Sequence, residues 1–223
     1  MSEKIAVHWF RQDLRIKDNP SLEAASKCDS FIPIYILDDT NSGEFKMGSA
    51  SRWWLYHSLN KLNESLGGSL RFFKGDPCEI LPKLIEDYSV SNVFWNRCYE
   101  PWRIDRDKKI KNELERNNII VESFCGSLLW EPWNISKDDG TPYRVFTPYY
   151  KKGCLNASEP RLPISEPSFE NISKKDNVSD NLESLDLLPK SNWYAGFEEE
   201  WNPGEKGAEQ NLEEFLEHGL LNY

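Results

Sequence analysis

Long apolar runs are missing from this 223-residue sequence, and no stretch approaches the roughly 18 residues that a membrane span needs. The first residues carry no basic region followed by an apolar core, so the sequence shows no secretory signal. We therefore expect a cytoplasmic protein without a membrane partner.

Patterns that would indicate a metal site or a disulfide framework are also missing. The three histidines are scattered, and none belongs to an H-E-x-x-H motif. The five cysteines are odd in number, and no two have the C-x-x-C spacing. This pattern favours reduced thiols in a cytosolic protein and predicts no bound metal.

The usual catalytic motifs do not occur either. The turn after the first predicted strand, residues 10–15, lacks the G-x-G-x-x-G of dinucleotide-binding proteins, and the chain has no P-loop. It has no G-x-S-x-G elbow and no visible set of nucleophile, base and orienting group. We therefore predict no catalytic residue in this chain.

Basic charge is scarce in one part of the chain. The net charge is −10, yet residues 1–158 carry 22 basic and 22 acidic side chains. Residues 159–223 carry 5 basic and 15 acidic side chains, so the whole acidic excess lies there. DNA-binding proteins normally have a basic surplus. We expect little or no DNA binding by this chain alone.

What the sequence does contain is a regular alternation of short β-rich runs and helical runs. Strands are predicted at residues 4–10, 31–37, 70–74, 92–96 and 119–123. Helices are predicted at 21–27, at 50–66, from a capping pattern that starts at Asp76, and at 101–116. This order predicts an α/β fold with a Rossmann-like, doubly wound, five-stranded parallel sheet. On the charged fourth helix, the spacing predicts that Asp107 pairs with Lys111.

The alternation stops after residue 133. We therefore predict an α/β domain at 1–133 and an interdomain linker at 134–203, which is rich in Pro, Ser, Asn and acidic residues and wraps on the surface. Residues 204–221 regain helical periodicity through Leu212, Phe215, Leu216 and Leu220. One amphipathic helix cannot bury its own apolar face, so 204–223 would be the start of an incomplete helical domain.

Candidate binding residues lie where ligands bind in such folds, at the carboxyl edge of the sheet. Arg11 is either a ligand contact or half of an ion pair with Asp13 or a helix end. Arg52, a cation in the first turn of a helix, points to a ligand or an acidic partner. Glu100 is either a helix cap or a ligand contact. The tryptophans near the strand ends serve either core packing or an aromatic pocket for a planar chromophore.

Five blocks of the sequence, in order, resemble the photolyase and cryptochrome family. They are HWFRQDLR at 8–15 with DNP at 18–20, GSASRWWL at 48–55, WNRCYEPW at 95–102, SLLWEPW at 127–133 and VFTPYY at 145–150. The resemblance implies a two-domain flavoprotein whose α/β domain can hold an antenna chromophore. Its helical domain would bind FAD and use light-driven electron transfer to repair pyrimidine dimers in damaged DNA.

The resemblance further implies that this chain is a truncated form, the antenna domain with the first helix of the FAD-binding domain. FAD and repair activity would then require the missing helical domain or a complementing chain. Tyr223 is similar in position to a tyrosine near the flavin of relatives. The antenna site would comprise Arg11, Ile36, Leu37, Asp38, Met47, Arg52, Cys98 and Glu100.

One difference from folate-binding relatives bears on the identity of the predicted antenna chromophore. Relatives that bind methenyltetrahydrofolate have an Asn-Glu pair where this chain has Trp102 and Arg103. This departure favours a deazaflavin, FMN or no antenna over a folate. Three alternatives stay open: a cryptochrome-type blue-light photoreceptor, a stand-alone nucleotide-binding α/β module, and an inactive remnant.

Overall fold

Five parallel strands form the centre of the structure, a computed structural model that describes residues 3–174 and 179–223. The strands are β1 (Ile5–Phe10), β2 (Ser30–Leu37), β3 (Arg71–Lys74), β4 (Asn92–Asn96) and β5 (Ile120–Phe124). Their spatial order is β3-β2-β1-β4-β5, and each neighbouring pair is parallel. The predicted doubly wound, five-stranded sheet is confirmed.

Four helices connect the strands: α1 (Pro20–Ser26), α2 (Ser49–Ser65), α3 (Pro77–Tyr88) and α4 (Pro101–Arg116). Side chains cap the start of two of these helices, α1 and α3. The Asn19 side chain accepts a hydrogen bond from the Leu22 N–H, and the Asp76 side chain accepts one from the Cys78 N–H. Each cap satisfies a helix-end donor that would otherwise lack a partner.

The two faces of the sheet have separate cores because successive side chains of a strand point to opposite faces. On one face, Ala6 and Phe10 of β1 pack with the apolar side chains of α1 and α2. On the other face, Val7 and Trp9 pack with those of α3 and α4. This three-layer arrangement places the first turn of α2 and of α4 at the carboxyl edge of the sheet.

Part of the predicted linker belongs to the core. Ile172, Leu182, Leu185 and Leu187 are buried with the α1–α2 face. Asn171 anchors the first of these segments, since its side-chain amide donates to the Ser26 and Cys28 carbonyls at 2.9 and 2.8 Å. The chain therefore returns to cover sheet surface that α1 and α2 leave bare.

Regular structure is sparse after β5. The helices are α5 (Phe146–Pro148), α6 (Phe197–Glu200) and α7 (Glu205–Glu214), and a wide turn at Phe215–Gly219 and a tighter one at Leu220–Asn222 follow α7. The predicted helix over 204–221 is therefore regular only as far as Glu214. None of the helices in the described ranges is both long and apolar enough to cross a membrane.

The predicted pairing of Asp107 with Lys111 is wrong. Asp107 turns inward to the Arg11 and Arg106 guanidiniums, while Lys111 lies 3.7 Å from Glu115 on the exposed face. Sequence spacing allows Lys111 to pair with either Asp107 or Glu115. Only the tertiary structure brings two arginines beside Asp107.

Candidate functional site

A cleft of about 590 Å³ opens at the carboxyl edge of the sheet. The ends of β1 and β2 form its floor, and the starts of α2, α4 and α7 contribute its sides. In the strand order β3-β2-β1-β4-β5, the chain runs outward from β1 to β2 and β3 on one side and from β4 to β5 on the other, so the order reverses between β1 and β4. Doubly wound folds bind ligands at this edge near such a reversal, and β1 forms part of the floor of the cleft.

Aromatic side chains line the cleft from several elements. They are Trp9 of β1, Tyr35 of β2, Phe45, Trp54 of α2 and Trp102 of α4. Trp9 and Tyr35 are buried, Trp102 is half-buried, and Phe45 and Trp54 are exposed. Burial raises the pKa of Tyr35 above its usual range, so the phenol stays neutral. The cleft can therefore hold a planar, largely apolar ring.

The positive charges of the cleft are matched by carboxylates. Arg11 pairs with Asp107, and its Nη2 also donates to the Asn96 carbonyl at 2.8 Å. Arg106 donates to Asp38 at 2.7 Å and to Asp107 at 2.8 Å. Burial opposes the charge of Arg106, but Asp107 and Asp38 outweigh it and raise its pKa.

Two further predicted residues, Arg52 and Glu100, lie behind the lining of the cleft and have protein partners. Arg52 Nη2 lies 2.7 and 2.8 Å from the two Asp39 carboxylate oxygens, so of the predicted ligand or acidic partner, the chain itself supplies a carboxylate. Glu100 accepts a hydrogen bond from the Gln12 amide at 2.8 Å. Burial disfavours ionised Glu100, but its own N–H, Arg103 and Gln12 together lower its pKa.

The predicted site residues divide into three groups. Those that line the cleft are Arg11, Ile36, Leu37, Asp38 and Met47. Arg52, Cys98 and Glu100 lie behind it, each in contact with a lining residue: Asp39, Arg103 and Gln12 respectively. Tyr223 is fully exposed, and its ring packs edge-on against Phe215.

Sequence reasoning did not place Tyr35, Arg103 or Arg106 in the site. A signal for Arg106 exists, because it follows Trp102 by four residues and so shares a face of α4 with it. Tyr35 carries no comparable signal. It points to the opposite sheet face from Ile36, and the two meet only because the cleft straddles the ends of the strands.

Helix α7 closes one end of the cleft with Gly204, Glu205 and Ala208. The Glu205 carboxylate accepts hydrogen bonds from the Ile16 and Lys17 N–H groups, each at 2.9 Å. Lys17 in turn reaches Glu209 at 2.7 Å. The loop after β1 and the first turn of α7 are therefore tied together.

Three buried donors at the cleft lack a hydrogen-bond partner in the part of the chain that the structure describes, and one of them, the Nε–H of Arg103, still lies 3.6 Å from the Glu100 carboxylate. The other two are the indole N–H of Trp9 and the Nε–H of Arg11. An unmatched buried donor costs free energy, so both are suited to carbonyl oxygens of a ligand. Across residues 3–174 and 179–223, no cluster of metal-ligating side chains exists.

Comparison with known proteins decides the family. The model of the DNA photolyase family matches residues 6–168. The chain belongs to the DNA photolyase family. It is 38% identical to a deoxyribodipyrimidine photo-lyase of Agrobacterium fabrum, over 100% of this chain and 47% of that protein. It is 34% identical to Cryptochrome-2 of Arabidopsis thaliana, over 99% of this chain and 37% of that protein.

A solved structure agrees with this assignment. The bacterial class III photolyase of Agrobacterium tumefaciens superposes with a TM-score of 0.89 at 36% identity, over 97% of this chain and 45% of that one. The chain thus spans less than half the length of these relatives, and it matches their N-terminal part.

Proposed function

We propose that this chain supplies the light-harvesting α/β part of a DNA photolyase, and that its cleft holds a flavin-class antenna chromophore, FMN or a deazaflavin. The observation that carries the proposal is the cleft of about 590 Å³ at the carboxyl edge of the sheet, with aromatic side chains from three sides. When bound, such a chromophore absorbs light and passes the excitation on.

The residues of the cleft fit a tricyclic ring. The volume lies within the range of small-molecule sites. Trp9 and Arg11 each offer a buried donor without a protein partner, and flavin rings carry carbonyl oxygens that can accept from them. The chain's own contribution is to exclude water, to stack against the ring and to orient it.

Charge balance narrows the ligand class. Arg11, Arg52 and Arg106 are each paired with a carboxylate, which leaves little net positive charge for a polyphosphate tail. Trp102 and Arg103 stand where folate-binding relatives have Asn-Glu. Both features favour a flavin-like ring with at most one phosphate over a methenyltetrahydrofolate antenna.

Repair of damaged DNA with FAD is proposed for the whole photolyase, not for these 223 residues alone. The acidic excess at 159–223 disfavours DNA binding by this chain. All five cysteines are free thiols, which supports a cytoplasmic location. Repair of pyrimidine dimers by the purified chain alone would overturn the proposal that repair requires the whole photolyase.

The test is an absorption spectrum of the purified native chain from 300 to about 550 nm, followed by titration with FMN, a deazaflavin and methenyltetrahydrofolate. We expect a flavin or deazaflavin band that is lost on denaturation. Binding of the folate alone would assign the cleft to a pterin. Failure of all three to bind would overturn the antenna proposal.

A second candidate function is blue-light sensing, favoured by the 34% identity with a cryptochrome over 99% of this chain. Deletion of the gene in its own cell separates the two functions. Loss of light-dependent survival after ultraviolet damage supports a photolyase. Unchanged survival with an altered blue-light response supports a cryptochrome.

A further inference from the structure

Arg106 lines the cleft, although its side chain is almost completely buried. Its side chain is 5% exposed and donates to Asp38 at the end of β2 and to Asp107 in its own helix. A buried ion pair adds little net stability compared with well-packed apolar side chains. Stability alone therefore gives a weak reason for a cation here.

Two indoles flank the guanidinium of Arg106. Its central carbon lies 4.9 Å from the ring centroid of Trp9 and 5.2 Å from that of Trp102. Both indoles line the cleft, but Trp9 is fixed in the core and Trp102 is only half-buried. Arg106 therefore connects a fixed core indole to an indole at the cleft wall.

Asp38 also holds the Arg106 guanidinium, at 2.7 Å. Besides Arg106, its carboxylate accepts hydrogen bonds from the backbone N–H groups of Thr40 and Asn41 at 3.1 and 2.9 Å. The planar guanidinium can pair with a carboxylate and stack on an aromatic ring at the same time, which a lysine ammonium cannot do as well. The geometry thus restricts the positions open to Trp102.

We propose that Arg106 is a positioning residue that holds the Trp102 indole as the wall against which the ring of the chromophore packs. This inference rests on the proposed antenna function and deepens it. A wall fixed in advance costs the ligand less ordering on binding and determines the polarity next to its ring. Loss of Arg106 should therefore change both the affinity for the chromophore and its absorption maximum.

The test uses Arg106→Lys, Trp102→Phe, their combination, and Arg71→Lys as the matched control. Arg71 is also buried and stacked, 4.8 Å from the centroid of Tyr88, but it does not line the cleft. For Arg106→Lys we expect FMN affinity to fall about tenfold and the bound absorption maximum to shift, as the loss of a partly desolvated cation–π contact predicts. Arg71→Lys should change neither.

The combined variant decides how Arg106 acts. If Arg106 acts through Trp102, Arg106→Lys should add almost nothing in the Trp102→Phe background. An equal loss of affinity in both backgrounds would overturn the proposal, because Arg106 would then act on the chromophore without Trp102. Wild-type binding with no effect of Arg106→Lys would also overturn it.

A measurement on the ligand-free chain separates this proposal from the antenna proposal. The chain is labelled with 5-fluorotryptophan, and the Trp102 fluorine resonance is assigned with Trp102→Phe. We expect Arg106→Lys to shift or broaden that resonance and Arg71→Lys to leave it unchanged; an unaltered resonance in Arg106→Lys would refute the positioning role. Failure of the wild type to bind any of the three chromophores would instead overturn the antenna function.

Discussion

The burial of apolar side chains differs between the α/β region up to residue 124 and the region after it. In the first region, the strands and helices bury nearly all of theirs in two cores, one on each face of the sheet. In the second region, large apolar side chains at the surface include Leu129, Trp133, Phe146, Leu162, Leu216 and Leu221.

The difference has a physical cause. A parallel sheet with helices on both faces creates two closed apolar layers from local alternation of strands and helices. Short helices such as α5 and α6 cannot enclose a core and depend on contacts elsewhere. Where the second region does reach the sheet, the side chains of Ile172, Leu182, Leu185 and Leu187 are as buried as those of the strands.

The largest expected loss of stability comes from a substitution that creates a cavity in the first region. Leu59 of α2 is fully buried, and Leu59→Ala should reduce the free energy of unfolding by about 2–5 kcal/mol. Urea denaturation followed by circular dichroism measures it. A loss below about 1 kcal/mol would show that α2 is packed far more loosely than its burial indicates.

A pH effect of similar size should come from His8 in β1. Burial lowers its pKa to about 4, against the opposing effects of Asp13 and Asn19. The unfolded chain, with a histidine pKa of about 6.5, takes up the proton first as the pH falls. Stability should therefore be lost between about pH 6.5 and pH 4, by about 3 kcal/mol in total.

The check is denaturation of the wild type, His8→Gln and His218→Gln across this pH range. His218 is exposed in the second region and serves as the control. The pH dependence should be weaker in His8→Gln and unchanged in His218→Gln. Equal slopes in all three proteins would contradict the assignment to His8.

A smaller effect should appear at the contact between the two regions. Glu205→Gln keeps the shape of the side chain but removes the charge that accepts from the Ile16 and Lys17 N–H groups. We expect a cost of about 1–2 kcal/mol for local opening, because hydrogen bonds to charged groups are the stronger ones. Hydrogen exchange of these two amides should become about tenfold faster or more.

Glu213→Gln is the control for this change, since Glu213 lies exposed on the same helix. Exchange at Ile16 and Lys17 should be the same as in the wild type. Unchanged exchange in Glu205→Gln would mean that the loop after β1 is held without α7.

The smallest effect is expected on the exposed face of α7. Leu212 is 56% exposed, and Leu212→Gln should change the free energy of unfolding by less than about 0.5 kcal/mol. The same urea experiment as for Leu59→Ala measures it. A loss above about 1 kcal/mol would mean that this face is covered in solution, which sedimentation at several concentrations would reveal as self-association.

Much of the fold was predictable because its signals are local. Asn19 and Asp76 cap the helices that they precede, and Leu55, Leu59, Leu62 and Leu66 form the buried stripe that their spacing predicts. The candidate site was predictable only in part. Arg11 and Asp38 follow predicted strands and could be placed at the carboxyl edge. Arg106 has only its spacing from Trp102 as a signal, and Tyr35 has no local signal that places it in the cleft.

Local sequence patterns suffice to predict the alternation of strands and helices, the parallel sheet and the edge at which such folds bind ligands, because hydrophobic periodicity and caps act over a few residues. Tertiary structure alone decided the pairings across the chain. Asp107 meets Arg11 rather than Lys111, and Glu205 meets Ile16 and Lys17, because both contacts join segments far apart in sequence. Contacts of this kind depend on how whole helices and strands pack together, and a local sequence pattern does not predict that packing.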